Sequence, residues 1–199
     1  MSRLVLASSN HGKLAELRDL LAPAGYELVA QSDLGVGDAD ETGSTFIENA
    51  IIKARHAARA TGLPALADDS GLVVDALGGE PGLLSARYAG RHGDDAGNNA
   101  LLLQRLHDVP DAARTAHFYC VLVLLRSVTD PQPLVAEGVW RGRILPAPRG
   151  GNGFGYDPLF QPDGYAISSA ELDPALKNAI SHRGQALAAL CERLPAPRA

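Results

Sequence analysis

Two adjacent acidic residues, Asp68 and Asp69, lie between apolar segments and are followed by Ser70 and Gly71. Carboxylates among apolar residues are unfavourable unless a cation meets them. Mg²⁺ needs only one or two carboxylates, and a carboxylate beside it could accept a proton from an attacking water. Neighbours on a strand point to opposite faces, so only one of the pair would face such a site. The alternative is an acidic turn in which Gly71 has a positive φ angle.

A run of small polar residues near the start of the chain could bind a phosphate. It reads Ser8-Ser9-Asn10-His11-Gly12-Lys13 and connects a predicted strand to a predicted helix. The first amides of a helix have no internal partner and carry the positive end of its dipole, and Lys13 adds a full charge. The glycine spacing is not that of a Walker loop. The alternative is a capped helix with a solvated lysine.

A stretch rich in acidic residues, 38–43, leads into the second predicted helix. Acidic residues before a helix are favourable for structural reasons alone. Asn49 and Lys53 in that helix are four residues apart and therefore share a face. Lys53 could reach the same phosphate region that Glu41 could reach through a metal ion.

A glycine-rich loop, residues 151–158, carries two aromatic rings, Phe154 and Tyr156. Glycine allows the backbone to approach a ligand closely. A nucleobase gains about 1–3 kcal/mol by stacking on such a ring. The alternative is that these rings fill the hydrophobic core.

Three basic residues, Lys177, His182 and Arg183, lie near the start of the last predicted helix. Cations at a helix N-terminus oppose its dipole. Basic residues at this unfavourable position indicate a ligand with negative charge or acceptor groups. His182 and Arg183 could donate hydrogen bonds to a base or a phosphate. The alternative is a solvated first turn.

The apolar periodicity predicts the elements that position these residues. The predicted strands are 3–7, 26–30, 65–67, 72–77, 118–125 and 134–144, and the predicted helices are about 11–21, 45–60, 95–107 and 181–194. Thr45 and Glu48 have the spacing of a capping box. Strands 118–125 and 134–144 would form an antiparallel pair. Strands and helices alternate in the first half, so we predict an α/β fold with a mixed sheet and helices packed against it.

Composition excludes several classes of protein. A chain of 199 residues suffices for one α/β domain or two closely packed lobes. A net charge of −5 without a basic cluster argues against binding a nucleic acid polymer. No apolar run is long enough to span a membrane and no signal peptide is recognisable, so we expect a cytoplasmic protein that does not bind membranes. Cys120 and Cys191 are expected to be packing residues.

Seven segments in this order resemble the Ham1/RdgB family of inosine/xanthosine triphosphate pyrophosphatases, and the resemblance extends over nearly the whole chain. The segments are residues 7–13, 41–50, 67–72, 77–82, 85–88, 153–158 and 181–186. The family commonly has Thr-Gly-Asn where this chain has Ser8-Ser9-Asn10. Ser8 keeps the hydroxyl, and Ser9 narrows the backbone conformations open to that position.

The resemblance implies an activity and an architecture. The enzyme would hydrolyse non-standard purine nucleoside triphosphates (ITP, dITP, XTP and dXTP) to the monophosphate and pyrophosphate. It would thereby remove these nucleotides before they enter DNA and RNA. The resemblance also implies Mg²⁺ as cofactor, a homodimer, and residues 1–199 as one domain. That domain would have an elongated mixed sheet with flanking helices, forming two lobes and a central cleft.

The resemblance also implies roles for individual residues. Asp69 would be the general base and a metal ligand, Glu41 the second metal ligand, and Asp68 a supporting residue. Phe154 would stack on the base, and three basic residues would lie near its 6-oxo edge. The substrate-binding residues would be Ser8, Ser9, Asn10, His11, Gly12, Lys13, Lys53, Ser70, Phe154, Gly155, Tyr156, Asp157, Lys177, His182 and Arg183.

Two rival functions are compatible with a nucleotide-binding chain. One is a pyrophosphatase acting on modified pyrimidines or methylated nucleotides, against which the segments 154–157 and 181–183 argue. The other is a sensor that binds nucleotides without hydrolysing them. The presence of Glu41, Asp68 and Asp69 argues against a sensor, because the acidic residues needed for hydrolysis are present.

Overall fold

The computed structural model describes residues 2–8, 14, 17, 18, 21 and 25–194. The chain divides into two compact units. The first contains Met1–Asp69, Cys120–Gly138 and Arg183–Ala199, and the second contains Ser70–Tyr119 and Val139–His182. The chain therefore passes from one unit to the other four times.

The described strands are β1 (Ser2–Leu6), β2 (Tyr26–Ala30), β3 (Ala65–Val74), β4 (Thr115–Leu125), β5 (Leu134–Ile144) and β6 (Phe160–Pro162). The strand order is β2-β1-β3-β4-β5 in the first unit and β3-β4-β5-β6 in the second. β1 is parallel to both β2 and β3, whereas β5 and β6 are antiparallel. The predicted mixed α/β sheet is confirmed.

The described helices are α1 (Phe46–Thr61), α2 (Asp95–Arg105), α3 (Pro174–Ile180) and α4 (His182–Cys191). The capping box predicted at the start of α1 is present, because Thr45 accepts from the Glu48 amide and Glu48 accepts from the Thr45 amide. Gly62 ends α1 in the left-handed conformation. Within the predicted helix 11–21, Leu14, Leu17 and Leu21 are helical and buried, and its other residues except Arg18 lie outside the described part of the chain.

The acidic segment of β3 differs from the prediction. Two strands were expected on either side of residues 68–71, but β3 is continuous through them. Gly71 has no positive φ angle, so the alternative of an acidic turn is wrong. Residues 75–77, expected to extend the strand, form a 3₁₀ turn instead. The continuous strand makes Asp68 and Asp69 neighbours on opposite faces of the sheet.

Each unit has its own hydrophobic core. The core of the first unit includes Leu4, Leu66, Leu122 and Leu187, which come from β1, β3, β4 and α4. The core of the second unit contains an aromatic group, Phe118, Trp140, Tyr156 and Phe160. Across the described ranges, none of the helices has both the length and the apolar character needed to cross a membrane.

Candidate active-site residues

A lysine lies between two carboxylates in the first unit. Lys53 Nζ donates to Asp69 Oδ1 at 2.8 Å and lies 2.9 Å from Glu41 Oε1. The three residues come from α1, β3 and the loop before α1, and Asp69 is buried. The distance between Asp69 Oδ1 and Glu41 Oε1 therefore cannot exceed the sum of these two distances. The structure thus brings together the two predicted metal ligands and one predicted phosphate contact.

The charge of Lys53 is stabilised by its partners. Burial is the largest influence on this ammonium and lowers its pKa, but the charges of Asp69 and Glu41 and their hydrogen bonds together outweigh it. The pKa of Lys53 is therefore raised above its usual value. A lysine held in the charged form can keep two carboxylates together while no other cation is bound to them.

The loop that carries Glu41 is fixed to the start of α1. The Gly43 amide donates to Asn49 Oδ1 at 2.8 Å, and Asn49 is buried. A Cβ atom at Gly43 would come within 2.6 Å of Glu48 Cβ, so only glycine fits this close approach. Asn49 and Lys53 share a face of α1, as predicted, and together they connect this helix to the loop and to β3.

Asp68 is held on the opposite face of β3. Its Oδ2 accepts from Cys120 Sγ at 3.1 Å and from Arg183 Nε at 3.3 Å, and all three residues are buried. Arg183 at the start of α4 thus meets an acidic side chain, which offsets its unfavourable position in the helix dipole. Cys120 was expected only to pack. It is fully buried, and its thiol also donates to Asp68.

The two carboxylates on Lys53 fit the requirements of Mg²⁺. Within the ranges that the structure describes, no group of three or more His, Cys, Asp or Glu residues could hold a metal ion. Mg²⁺ is commonly bound by one or two carboxylates, with waters and substrate phosphates completing its coordination. The pair Glu41 and Asp69 satisfies that need. Of the predicted phosphate-binding turn, Ser8 is half-buried, and Ser9, Asn10, His11, Gly12 and Lys13 lie outside the described residues.

A buried carboxylate organises the glycine-rich loop of the second unit. Asp157 Oδ2 accepts from the Phe154 amide at 2.9 Å and from Lys177 Nζ at 2.8 Å. Asp157 Oδ1 accepts from Ser169 Oγ at 2.8 Å. A Cβ atom at Gly153, which has a φ of +79°, would overlap the Asp157 carboxylate. The loop therefore depends on glycine at this position and on Asp157 as a shared acceptor.

The two rings of this loop have different environments. Phe154 is half-buried, and Lys177 Nζ lies 5.3 Å from the centre of its ring. Tyr156 is buried in the core, and its hydroxyl donates to the Ser85 carbonyl at 2.9 Å. Burial is the largest cause of the raised pKa of Tyr156. Tyr156 is therefore a core residue, which was the alternative for both rings, whereas Phe154 is only half-buried.

His182 stacks on aromatic rings of the second unit. The centre of its ring lies 4.7 Å from that of Phe118, at an interplanar angle of 11°. The centre of the Trp140 ring lies 6.4 Å from that of His182, and these two rings are also stacked. Lys177 was expected at the start of the last helix, and this is wrong, because it lies in the last turn of a separate helix, α3. A cation is favourable there. Of these three basic residues, only His182 and Arg183 lie where a cation opposes a helix dipole.

Two residues of α2 that the sequence did not single out contact the same loop. The Gly155 amide donates to Asp95 Oδ2 at 2.7 Å, and Asn99 Nδ2 donates to the Gly155 carbonyl at 2.8 Å. Asp95 and Asn99 have the four-residue spacing of one helix face. That spacing was the only signal available in the sequence, and it did not name Gly155 as the partner.

Comparison with known proteins identifies the family of the chain. The model of the Ham1 family matches residues 4–193, which is nearly the whole length. This chain belongs to the Ham1 family. The resemblance of its seven segments is thereby confirmed.

Relatives of this Ham1-family chain are similar over their full length. A dITP/XTP pyrophosphatase of Xanthomonas campestris pv. campestris strain 8004 is 59% identical over 98% of each chain. A dITP/XTP pyrophosphatase of Vibrio cholerae serotype O1 is 55% identical over 100% of this chain and 99% of that protein. The solved structure of a HAM1 protein from Coxiella burnetii has a TM-score of 0.90 at 52% identity, covering 97% of this chain and 98% of the other.

Proposed function

We propose that this Ham1-family chain hydrolyses the non-standard purine nucleoside triphosphates ITP, dITP, XTP and dXTP to the monophosphate and pyrophosphate. The proposal rests on one observation: Glu41 and Asp69 both contact Lys53 Nζ, at 2.9 and 2.8 Å. Two carboxylates and a cation are the groups that phosphoryl transfer requires for positioning and charge stabilisation. The names of the Xanthomonas and Vibrio relatives support the substrate class.

Mg²⁺ is proposed as the cofactor, with Glu41 and Asp69 as its protein ligands. When bound, the ion would supply charge neutralisation for the phosphates of the substrate. Lys53, whose ammonium contacts both carboxylates, would then donate to a phosphate oxygen of the substrate. Lys13 and the turn that begins at Ser8 are proposed to bind the triphosphate.

Asp69 is proposed to act as the general base. Its carboxylate orients the attacking water and accepts its proton, while the released pyrophosphate departs with the bonding electron pair. No covalent intermediate with the protein is needed. Asp68 has a supporting role, because its bonds to Cys120 and Arg183 fix the neighbouring position on β3. Ser70 is also proposed to contact the phosphates.

Recognition of the base is assigned to residues of the glycine-rich loop and the last helices. The half-buried ring of Phe154 offers a stacking face, and Gly155, Tyr156 and Asp157 shape the loop around it. Lys177, His182 and Arg183 are proposed to present donors to the 6-oxo group. Adenine carries an amino donor at that position, so fixed donors would be left unpaired, and such a mismatch discriminates strongly.

We also propose that residues 1–199 act as one enzyme domain, in a cytoplasmic homodimer. The match of the Ham1 family model to residues 4–193 supports a single functional domain. The substrate is a small polyanion, and the net charge of −5 is compatible with it if cations gather locally.

The test is a panel of nucleoside triphosphates with detection of pyrophosphate, each measured with and without Mg²⁺. We expect release from ITP and XTP that depends on Mg²⁺ and little release from ATP. Faster release from modified pyrimidine or methylated nucleotides would favour the related pyrophosphatase. Tight binding of ITP without pyrophosphate release would favour a sensor and contradict the proposal.

A further inference from the structure

One helix bonds both polar groups of a single residue in the glycine-rich loop. Asp95 in the first turn of α2 accepts from the Gly155 amide, and Asn99 one turn later donates to the Gly155 carbonyl. The chemistry is complementary, because a carboxylate can only accept and the Asn99 Nδ2 group can only donate. Neither residue is among those that the family resemblance implied.

Gly155 has a backbone conformation that contacts from outside the loop can fix. Its φ is +61°, in the region that other residues rarely adopt, and glycine has the greatest backbone freedom. The residues on either side are held by other bonds. The Phe154 amide donates to Asp157 and the Tyr156 hydroxyl donates to Ser85. The two bonds from α2 therefore restrain the one flexible position between the stacking ring and the buried ring.

The environment of Asn99 points to a role other than stability. Its Oδ1 is buried and accepts no hydrogen bond from any residue in the described part of the chain. A buried acceptor without a partner disfavours folding, so stability alone does not favour asparagine at this position. A residue that breaks a local rule without a compensating contact is typical of functional positions.

We propose that Asp95 and Asn99 are positioning residues for nucleobase binding, which act by fixing Gly155 and thereby the ring of Phe154. The inference rests on the proposed function, because it assigns the base to this loop. Both residues contact the loop to which the base is assigned, and neither is among the residues proposed to bind the phosphates. Their loss should therefore weaken binding of the nucleotide and leave the chemical step nearly unchanged.

The experiment compares four variants. Asp95→Ala removes the acceptor, and Asp95→Asn keeps an acceptor oxygen of the same size. Asn99→Asp removes the donor without changing the shape. Gln104→Ala is the matched control, because Gln104 is exposed on the same helix. For each, KM and kcat for ITP and the calorimetric affinity for inosine monophosphate are measured.

Asp95→Ala should raise KM and weaken inosine monophosphate binding about fivefold, the factor expected for one lost hydrogen bond. Asn99→Asp should raise KM about tenfold or more, because a carboxylate would also face the Gly155 carbonyl. In both Asp95→Ala and Asn99→Asp, kcat should stay within about twofold of the wild-type value. Asp95→Asn and Gln104→Ala should stay within about twofold of the wild type throughout.

The inference is overturned if folded Asp95→Ala and Asn99→Asp keep the wild-type KM and affinity, or if kcat falls while KM is unchanged. Equal losses in Asp95→Ala and Asp95→Asn would also overturn it, since charge rather than an acceptor would then matter. If Asn99→Asp does not fold, Asp95→Ala decides, because Asp95 is exposed.

The two proposals fail separately. Wild-type protein that binds inosine monophosphate but releases no pyrophosphate from ITP contradicts the proposed function, and the affinities of the variants still decide the role of α2. Wild-type protein that hydrolyses ITP while all four variants match it contradicts only the inference about Asp95 and Asn99.

Discussion

Lys53 Nζ lies 2.8 Å from Asp69 Oδ1, and this contact joins α1 to β3 in the first unit. The same ammonium lies 2.9 Å from Glu41 Oε1. Lys53 therefore stands where a divalent cation held by both carboxylates would be expected. Removal of an acid and removal of the lysine should consequently have opposite effects on the affinity for a cation.

Replacing Asp69 with asparagine should abolish most of the activity. Asparagine is nearly isosteric but cannot accept a proton from water, and a general base contributes about 10²–10⁴-fold. We expect kcat on ITP to fall by about that factor with the fold retained, as measured by pyrophosphate release and circular dichroism. Asp75→Asn, an exposed position just after the same strand, is the matched control and should keep wild-type turnover. Near-normal kcat in folded Asp69→Asn would remove this residue from the role.

Local patterns predicted a large part of this site. The capping box of Thr45 and Glu48 was readable because its two residues are three apart, and the shared face of Asn49 and Lys53 because they are four apart. The contact of Lys53 with Asp69 joins residues 16 apart, and that of Cys120 with Asp68 joins residues 52 apart. Such pairs depend on how strands pack, and periodicity in one segment carries no information about them.

Replacing Lys53 with methionine should destabilise the protein in the absence of metal and increase its response to Mg²⁺. Two largely buried carboxylates would lose their shared cation, at a cost of about 2–4 kcal/mol. Because Mg²⁺ would no longer compete with an ammonium, it should raise the Tm of the variant more than that of the wild type. Thermal melts with Mg²⁺ or EDTA measure this.

Arg59→Met, an exposed position on the same helix, is the control for that experiment. It should keep the wild-type Tm shift with Mg²⁺. An equal shift in Lys53→Met and the wild type would contradict binding of Mg²⁺ between Glu41 and Asp69.

Cys120 should stabilise the fold through its bond to Asp68. Cys120→Val keeps an apolar side chain but removes the donor, and leaving a buried carboxylate with one donor fewer costs about 1–3 kcal/mol. Cys120→Ser keeps a donor and should cost less than Cys120→Val. Urea denaturation gives the free energies of unfolding. At Cys191, which is half-buried, the substitution by serine should not cost less than the substitution by valine. If serine is worse than valine at position 120, the thiol acts through packing and not as a donor.

Asp130 should make stability depend on pH. The pKa of Asp130 is lowered, and hydrogen bonds from the Arg126 side chain are the largest cause. Burial opposes this shift, and hydrogen bonds from the backbone amides of Arg126 and Gln132 add to it. The unfolded chain binds a proton below about pH 4, whereas the folded chain does so only at lower pH. The stabilising contribution is therefore complete above pH 4 and is lost as the pH falls below it.

The measurement compares the free energy of unfolding of the wild type with that of Asp130→Asn between pH 7 and pH 3. The advantage of the wild type should be constant near neutrality and shrink below about pH 4. Asp163→Asn, an exposed position, should stay within about 0.5 kcal/mol of the wild type at every pH. A constant advantage over the whole range would show that the hydrogen bonds of Asp130 do not depend on its charge.

Replacing Phe154 with alanine should weaken recognition of the base and spare recognition of the phosphates. Loss of one stacking ring costs about 1–3 kcal/mol, so KM for ITP should rise about fivefold to a hundredfold. Inhibition by pyrophosphate should be unchanged, because pyrophosphate has no base to stack. Phe154→Tyr keeps the ring and should retain a KM close to that of the wild type. A parallel loss of pyrophosphate inhibition in Phe154→Ala would mean that the loop as a whole had moved, since a missing stacking face alone cannot affect a ligand without a base.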